Sequence, residues 1–174
     1  MNNCVYLIGC RAVGKSSIGL ELAKRIGYDF LDTDTLIVAK KKSSVATIVK
    51  EEGWQGFRKL ENEVLSELRF RQHCVVATGG GAILHRKIWQ ELKKLGQVVW
   101  LTAELAILCD RLRMDRNSES LRPSLTGKDI CQELAEVLVK RNPLYRELAD
   151  IVVDTGLLTV AEAVHCIEKQ IRES

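Results

Sequence analysis

The chain has 174 residues, 28% of them charged and 5% aromatic, with 26 basic against 23 acidic side chains for a formal net charge of +3. That length supports one domain with a core of its own, and the composition is that of an ordinary soluble protein rather than a disordered or membrane one. The small basic excess is not gathered into a stripe with interleaved aromatics, which argues against nucleic acid as a partner, and the longest apolar runs are strand-sized, which argues against a membrane span.

The first apolar run, residues 4–8, reads as a strand. It is interrupted by Gly9 and Arg11, too soon for a secretory leader, so a cytoplasmic address is expected. Residues Gly9, Cys10, Arg11, Ala12, Val13, Gly14, Lys15 and Ser16 then satisfy the pattern G-x-x-x-x-G-K-[ST]. Glycines let such a loop curl its N–H groups toward phosphate oxygens, the lysine supplies a point charge, and the hydroxyl reaches Mg²⁺. Ile18, Leu22, Ala23 and Ile26 follow at helical spacing, so the loop lies at a helix N-terminus, where anions are favoured.

A second strand is predicted over residues 28–31, ending in Asp32, Thr33 and Asp34. The carboxyl ends of parallel strands line the ligand crevice, so two carboxylates there face the γ-phosphate. One suits the Mg²⁺ shell and the other suits a substrate hydroxyl. The competing reading is a helix cap for the segment from Leu36, with Asp34 among the candidates. Gly53 and Trp54 open a further helix that carries Phe57, Arg58, Leu60, Val64 and Leu68.

Residues 74–77 are the third strand, followed directly by Thr78 and three glycines, Gly79, Gly80 and Gly81. Each glycine costs backbone entropy, so the triplet implies that a ligand or another segment approaches closely. Residues 98–101 and 151–153 are the remaining strands. Between them, residues 114–127 are polar and aperiodic and read as a lid. Helical stripes occur at Ile130, Leu134, Val137 and Leu138 and at Val160, Val164, Ile167 and Ile171. Nearly unbroken apolar strands separated by helices predict a parallel sheet buried on both faces.

Arg58, Arg122 and Arg141 fall in strand-end or lid contexts, and a planar guanidinium grips a carboxylate or phosphate bidentately. The six cysteines, at 4, 10, 74, 109, 131 and 166, form no C-x-x-C pair and have no histidine at ligand spacing. They read as reduced and mostly buried, with Cys10 a small filler in the phosphate loop or a reactive thiol beside it.

These strings together resemble the shikimate kinase family. The resemblance rests on the phosphate loop, Asp32 with Asp34, Gly53 and Trp54 with Phe57, Arg58 and Glu61, the glycine triplet, Leu121-Arg122-Pro123, Arg141-Asn142-Pro143-Leu144-Tyr145, and Asp154-Thr155. It implies a three-layer α/β/α kinase of the nucleoside monophosphate kinase type, with a five-stranded parallel sheet and a mobile lid. One domain spans 1–174, with an acceptor segment near 36–60 and a lid near 113–127.

It implies ATP and Mg²⁺ as cofactors and shikimate as substrate, phosphorylated at its 3-hydroxyl on the route to the aromatic amino acids. Lys15, Asp34 and Arg122 would be catalytic. Gly9, Ala12, Val13, Gly14, Lys15, Ser16, Ser17 and Arg122 would hold the nucleotide. Asp34, Arg58, Gly80 and Arg141 would bind shikimate, and Ser16 and Asp32 would hold the metal. A monomer is expected. Ala12 departs from the family's usual glycine and Val13 from its smaller residue. Fold alone leaves a gluconate kinase as the rival acceptor reading, and the absence of an Asn-Lys-x-Asp string speaks against a guanine-nucleotide switch.

Overall fold

A computed structural model describes residues 4–114 and 129–173. Its five strands are β1 (Cys4–Ile8), β2 (Asp29–Asp32), β3 (Cys74–Ala77), β4 (Gly96–Thr102) and β5 (Ile151–Asp154). All neighbours pair in parallel, in the order β2-β3-β1-β4-β5. The helices, in chain order, are α1 (Lys15–Ile26), α2 (Thr33–Lys41), α3 (Val45–Glu67), α4 (Arg86–Leu92), α5 (Leu105–Met114), α6 (Ile130–Leu148) and α7 (Val160–Glu173). The predicted parallel sheet and its five strand positions are therefore present.

Both faces of the central strand are covered. Val5 and Leu7 pack with Leu22, Val99, Leu134 and Ile167 on one side. Cys4, Tyr6 and Ile8 pack with Leu65, Trp89, Trp100 and Tyr145 on the other. Period-two alternation into two apolar clusters is what makes β1 read as one continuous apolar run. The edge strands differ. In β5, Val152 is 50% exposed between buried Ile151 and Val153, and Asp29 of β2 is exposed. Burial on both faces thus holds for β1, β3 and the inner part of β4, while β2 and β5, each with one neighbour, keep solvent on one flank.

A third cluster, Ile37, Val45, Ile48, Phe57 and Val64, binds α2 to α3. Gly53 sits inside α3 with φ 68° and ψ 177°, so the helix is broken there and restarts at Trp54, as the sequence suggested. The break aims the second half of α3, with Arg58 and Glu61, back toward the strand ends. In α6, Pro143 lies in the helix interior, so the helix carries Arg141 and Tyr145 across it. Val160, placed on an apolar face by periodicity, is 41% exposed because it opens α7 before the helix meets the core.

Two further corrections concern the cysteines and the lid. Cys109 of α5 and Cys131 of α6 form a disulfide across Cα atoms 5.6 Å apart, within the span a disulfide bridges. Spacing alone did not reveal that the middle of α5 faces the start of α6. Arg113 and Met114, assigned to the lid's start, belong to α5, while the rest of that segment, Arg122 included, lies outside the described residues. Among the described residues, no helix is long and apolar enough to cross a membrane.

Candidate active site

The phosphate loop joins β1 to α1, and its backbone is the shape that its glycines permit. Gly9 has φ 139° and Gly14 φ 93°, and a Cβ on Gly9 would collide with the Leu101 carbonyl of β4. Ala12 adopts φ 65°, left-handed backbone that disfavours an L side chain by about 1–2 kcal/mol. That locates the cost of the departure from glycine. Val13 costs nothing at the mouth of the loop, because its side chain is fully buried in the core and its carbonyl accepts from Thr155 Oγ1 at 3.0 Å.

Lys15 is 6% exposed, with Nζ donating to the Gly9 carbonyl at 2.9 Å and the Cys10 carbonyl at 2.6 Å. The ammonium is thereby held inside the curl of the loop. Cys10 is buried, and loss of hydration pushes its thiol pKa up against the opposing pull of Lys15 and Arg11. A raised thiol pKa leaves little thiolate, so the filler reading of Cys10 fits better than a reactive one.

Ser16 Oγ donates to Asp32 Oδ2 at 2.7 Å, which unites the two residues assigned to the metal. The other oxygen of Asp32 accepts from the backbone N–H groups of Asp34 and Thr35, at 3.0 and 3.2 Å. Asp32, not Asp34, is therefore the cap, and α2 starts at Thr33 rather than Leu36. Freed from that task, Asp34 lines the pocket together with Arg58, Glu61, Gly79–Gly81 and Arg141. Ser17 is exposed in the first turn of α1.

The glycine triplet forms the pocket floor. Gly79 N–H donates to the buried Thr33 hydroxyl at 2.8 Å. The Gly80 carbonyl accepts from Arg141 Nη1 at 3.0 Å and from the Tyr145 hydroxyl at 2.6 Å. None of the three needs positive φ; what they grant is space. A Cβ on Gly79 would sit 2.8 Å from Asp34 Oδ1 and from Glu61 Oε1, and one on Gly81 would overlap the Arg58 guanidinium. The close approach inferred from sequence is made by the site's own side chains.

Gly81 has φ −93° and ψ −8°, so alanine suits its backbone, and the Arg58 guanidinium must move. Gly81→Ala should therefore fold normally but raise the acceptor KM about tenfold, an amount worth roughly 1.4 kcal/mol. Steady-state kinetics beside a thermal melt checks this, and an unchanged KM with wild-type Tm refutes it.

Arg58 is sandwiched near Trp54 and Phe57, with Cζ 5.5 and 5.4 Å from their ring centres, and donates from Nη1 to Glu61 Oε2 at 2.6 Å. Arg11 Nη2 donates to Glu133 Oε1 at 3.0 Å, which ties the phosphate loop to the first turn of α6. Arg111 donates to the carbonyls of Ala12, Thr155 and Gly156, linking the loop to the end of β5, whereas Arg113 is exposed beside Asp110.

Glu61, His85, Glu133 and Tyr145 were not assigned roles from sequence. Glu61 had a signal, its i, i+3 spacing from Arg58; His85 and Glu133 had none, since their partners lie 24 and 122 residues away.

Known proteins share both the sequence and the fold of this chain. A family model described as shikimate kinase matches residues 11–172. The shikimate kinase of Syntrophus aciditrophicus is 42% identical over 168 residues, covering 92% of this chain and 86% of the relative. Shikimate kinase 2 of Yersinia enterocolitica is 42% identical over 154 residues, covering 88% and 87%. Among solved structures, a shikimate kinase from Acinetobacter baumannii in complex with shikimate superposes with a TM-score of 0.91 at 35% identity, covering 99% of this chain and 94% of that one. A gluconokinase from Sinorhizobium meliloti shares the fold at 19% identity and a TM-score of 0.66.

Proposed function

The chain belongs to the shikimate kinase family, and from that premise we propose how its residues divide the ATP-dependent phosphorylation of shikimate that it catalyses. The observation that carries the assignment is convergence. Asp34, Arg58, Gly80 and Arg141 line one pocket that opens onto the phosphate loop at Cys10 and Arg11.

Arg58 and Arg141 grip the shikimate carboxylate, since each presents a planar donor fork. The Gly80 backbone supports the acceptor from below. Asp34 accepts a hydrogen bond from the 3-hydroxyl and takes its proton as the oxygen attacks the γ-phosphorus. The N–H groups of Gly9, Ala12, Val13, Gly14, Lys15, Ser16 and Ser17 cradle the nucleotide phosphates, and Lys15 neutralises charge on the group in flight. Family resemblance adds Arg122 as a second cation on that group. Residues 36–60 supply the acceptor wall through Val45, Trp54, Phe57 and Arg58.

Ser16 and Asp32 suit Mg²⁺ because both offer hard oxygens and already lie within 2.7 Å of each other. Held by Ser16 and Asp32, the ion would supply positive charge to offset that of the nucleotide phosphates. We read the enzyme as a cytoplasmic monomer.

Release of ADP from MgATP should depend on shikimate and not on gluconate. Nucleotide binding without shikimate-dependent ADP release would leave the phosphate loop reading standing and remove the acceptor assignment. Arg58→Ala should then raise the shikimate KM about tenfold or more with kcat changed by less than about threefold, because a carboxylate grip acts on ground state and transition state alike. Equal saturation by shikimate in both enzymes refutes the grip.

A further inference from the structure

We infer that His85 is a positioning residue for shikimate: by sharing one oxygen of Glu61, it keeps Glu61 from claiming the whole guanidinium of Arg58. The inference rests on the reading that Arg58 grips the substrate carboxylate.

Glu61 is fully buried. Its Oε2 accepts from Arg58 Nη1 at 2.6 Å and from His85 Nε2 at 2.9 Å, so both donors crowd one oxygen. Its Oε1, also buried, has no hydrogen-bond partner among the described residues and lies against Gly79. A carboxylate beside a guanidinium ordinarily prefers the bidentate fork, with both oxygens used. Here the imidazole takes a share of the same oxygen, and the contact with Arg58 is monodentate.

The remaining donors of Arg58, Nη2 and Nε, make no hydrogen bond to any described residue. The guanidinium sits in the pocket wall over Gly81. A monodentate partner therefore fixes where Arg58 lies while leaving it donors for a bound anion. His85 holds its own place at the start of α4, half-buried at 14% side-chain exposure, with its backbone N–H donating to the Ala82 carbonyl at 3.1 Å.

Without the imidazole, Glu61 loses one of two partners and is free to rotate onto both nitrogens of Arg58. The shikimate carboxylate then competes with a buried carboxylate for the same fork. The loss is confined to acceptors that carry a negative charge.

The test compares shikimate with its neutral methyl ester in the wild type, His85→Ala, His85→Asn, His85→Gln and Arg58→Ala, with Tm measured for each. Loss of one hydrogen-bond partner sets the scale, about fivefold. His85→Ala and His85→Asn should raise the shikimate KM by about that factor, with kcat, the ATP KM and the methyl ester KM unchanged. Asparagine is too short to reach Glu61, whereas glutamine places an amide nitrogen near the position of Nε2, so His85→Gln should restore the shikimate KM.

The proposal is overturned if the shikimate KM stays at the wild-type value in both short variants, if the two acceptors lose equally, or if His85→Gln behaves like His85→Ala. Arg58→Ala separates the two layers of argument. If it fails to distinguish shikimate from the ester, the carboxylate grip itself is wrong; if it does and the His85 variants do not, only the role of His85 is wrong.

Discussion

Lys15→Met should lower kcat by about 10²–10³ while leaving a folded protein, the cost typical of removing one preorganised charge or donor from a transition state. The side chain is buried at the N-terminus of α1 with its ammonium on the Gly9 and Cys10 carbonyls. Methionine retains most of the apolar stem and discards the charge. The two carbonyls lose a donor, which costs stability, but a buried ammonium no longer needs desolvating, so the two effects oppose each other.

In the acceptor pocket the change reaches the Cys10 carbonyl, which accepts from Nζ, while the guanidinium groups of Arg58 and Arg141 that bind the acceptor in this reading stay. Shikimate binding, followed through the fluorescence of Trp54 at the pocket wall, should therefore persist. Arginine should not rescue, because the curl of the loop holds Nζ within 2.9 Å of both carbonyls and has no room for a planar fork. A kcat within about tenfold of wild type would show that Lys15 braces the loop and does not stabilise the transferring group.

The candidate site residues that stood out in the sequence share a feature: their proposed partners are the ligand or the local backbone. Gly9, Gly14, Lys15 and Ser16 stand in one contiguous string, and the strand and helix on either side of it follow from periodicity. Arg58 and Arg141 were legible only through motif context, since an arginine's reach is not written in its neighbours. Spacing alone marked Asp32 and Asp34 as a pair, and only the family resemblance gave them separate roles. Either carboxylate could cap a helix, and the choice depends on where α2 begins, a matter settled by the turn at the end of β2.

The glycine triplet announced a close approach, yet the groups that approach, Asp34, Glu61 and Arg58, come from two other elements. Long-range pairs were illegible for the same reason. Arg11 with Glu133, Glu61 with His85 and Cys109 with Cys131 form because the right-handed crossovers of a parallel sheet return distant segments to one edge. No local pattern encodes which side chains then meet.

Asp34→Asn distinguishes a base from an anchor at the centre of the site. Asparagine matches aspartate in shape and keeps an oxygen able to accept from a hydroxyl, but it cannot take a proton. Folding should not suffer, since Asp32 supplies the cap of α2 through Oδ1 and Asp34 is not needed for that task. General-base catalysis contributes about 10²–10⁴, so kcat should fall by that factor while the shikimate KM changes far less. That is the reverse of the split expected for Arg58→Ala.

The contrast follows from the proposed roles: Arg58 would contact a carboxylate that does not react, whereas Asp34 would face the oxygen whose proton must leave. If Asp34→Asn raised KM and spared kcat, the carboxylate would be a hydroxyl anchor. The proton would then pass to the phosphoryl oxygens as the P–O bond forms, as a loose, metaphosphate-like transition state permits, because such a state puts little demand on a base.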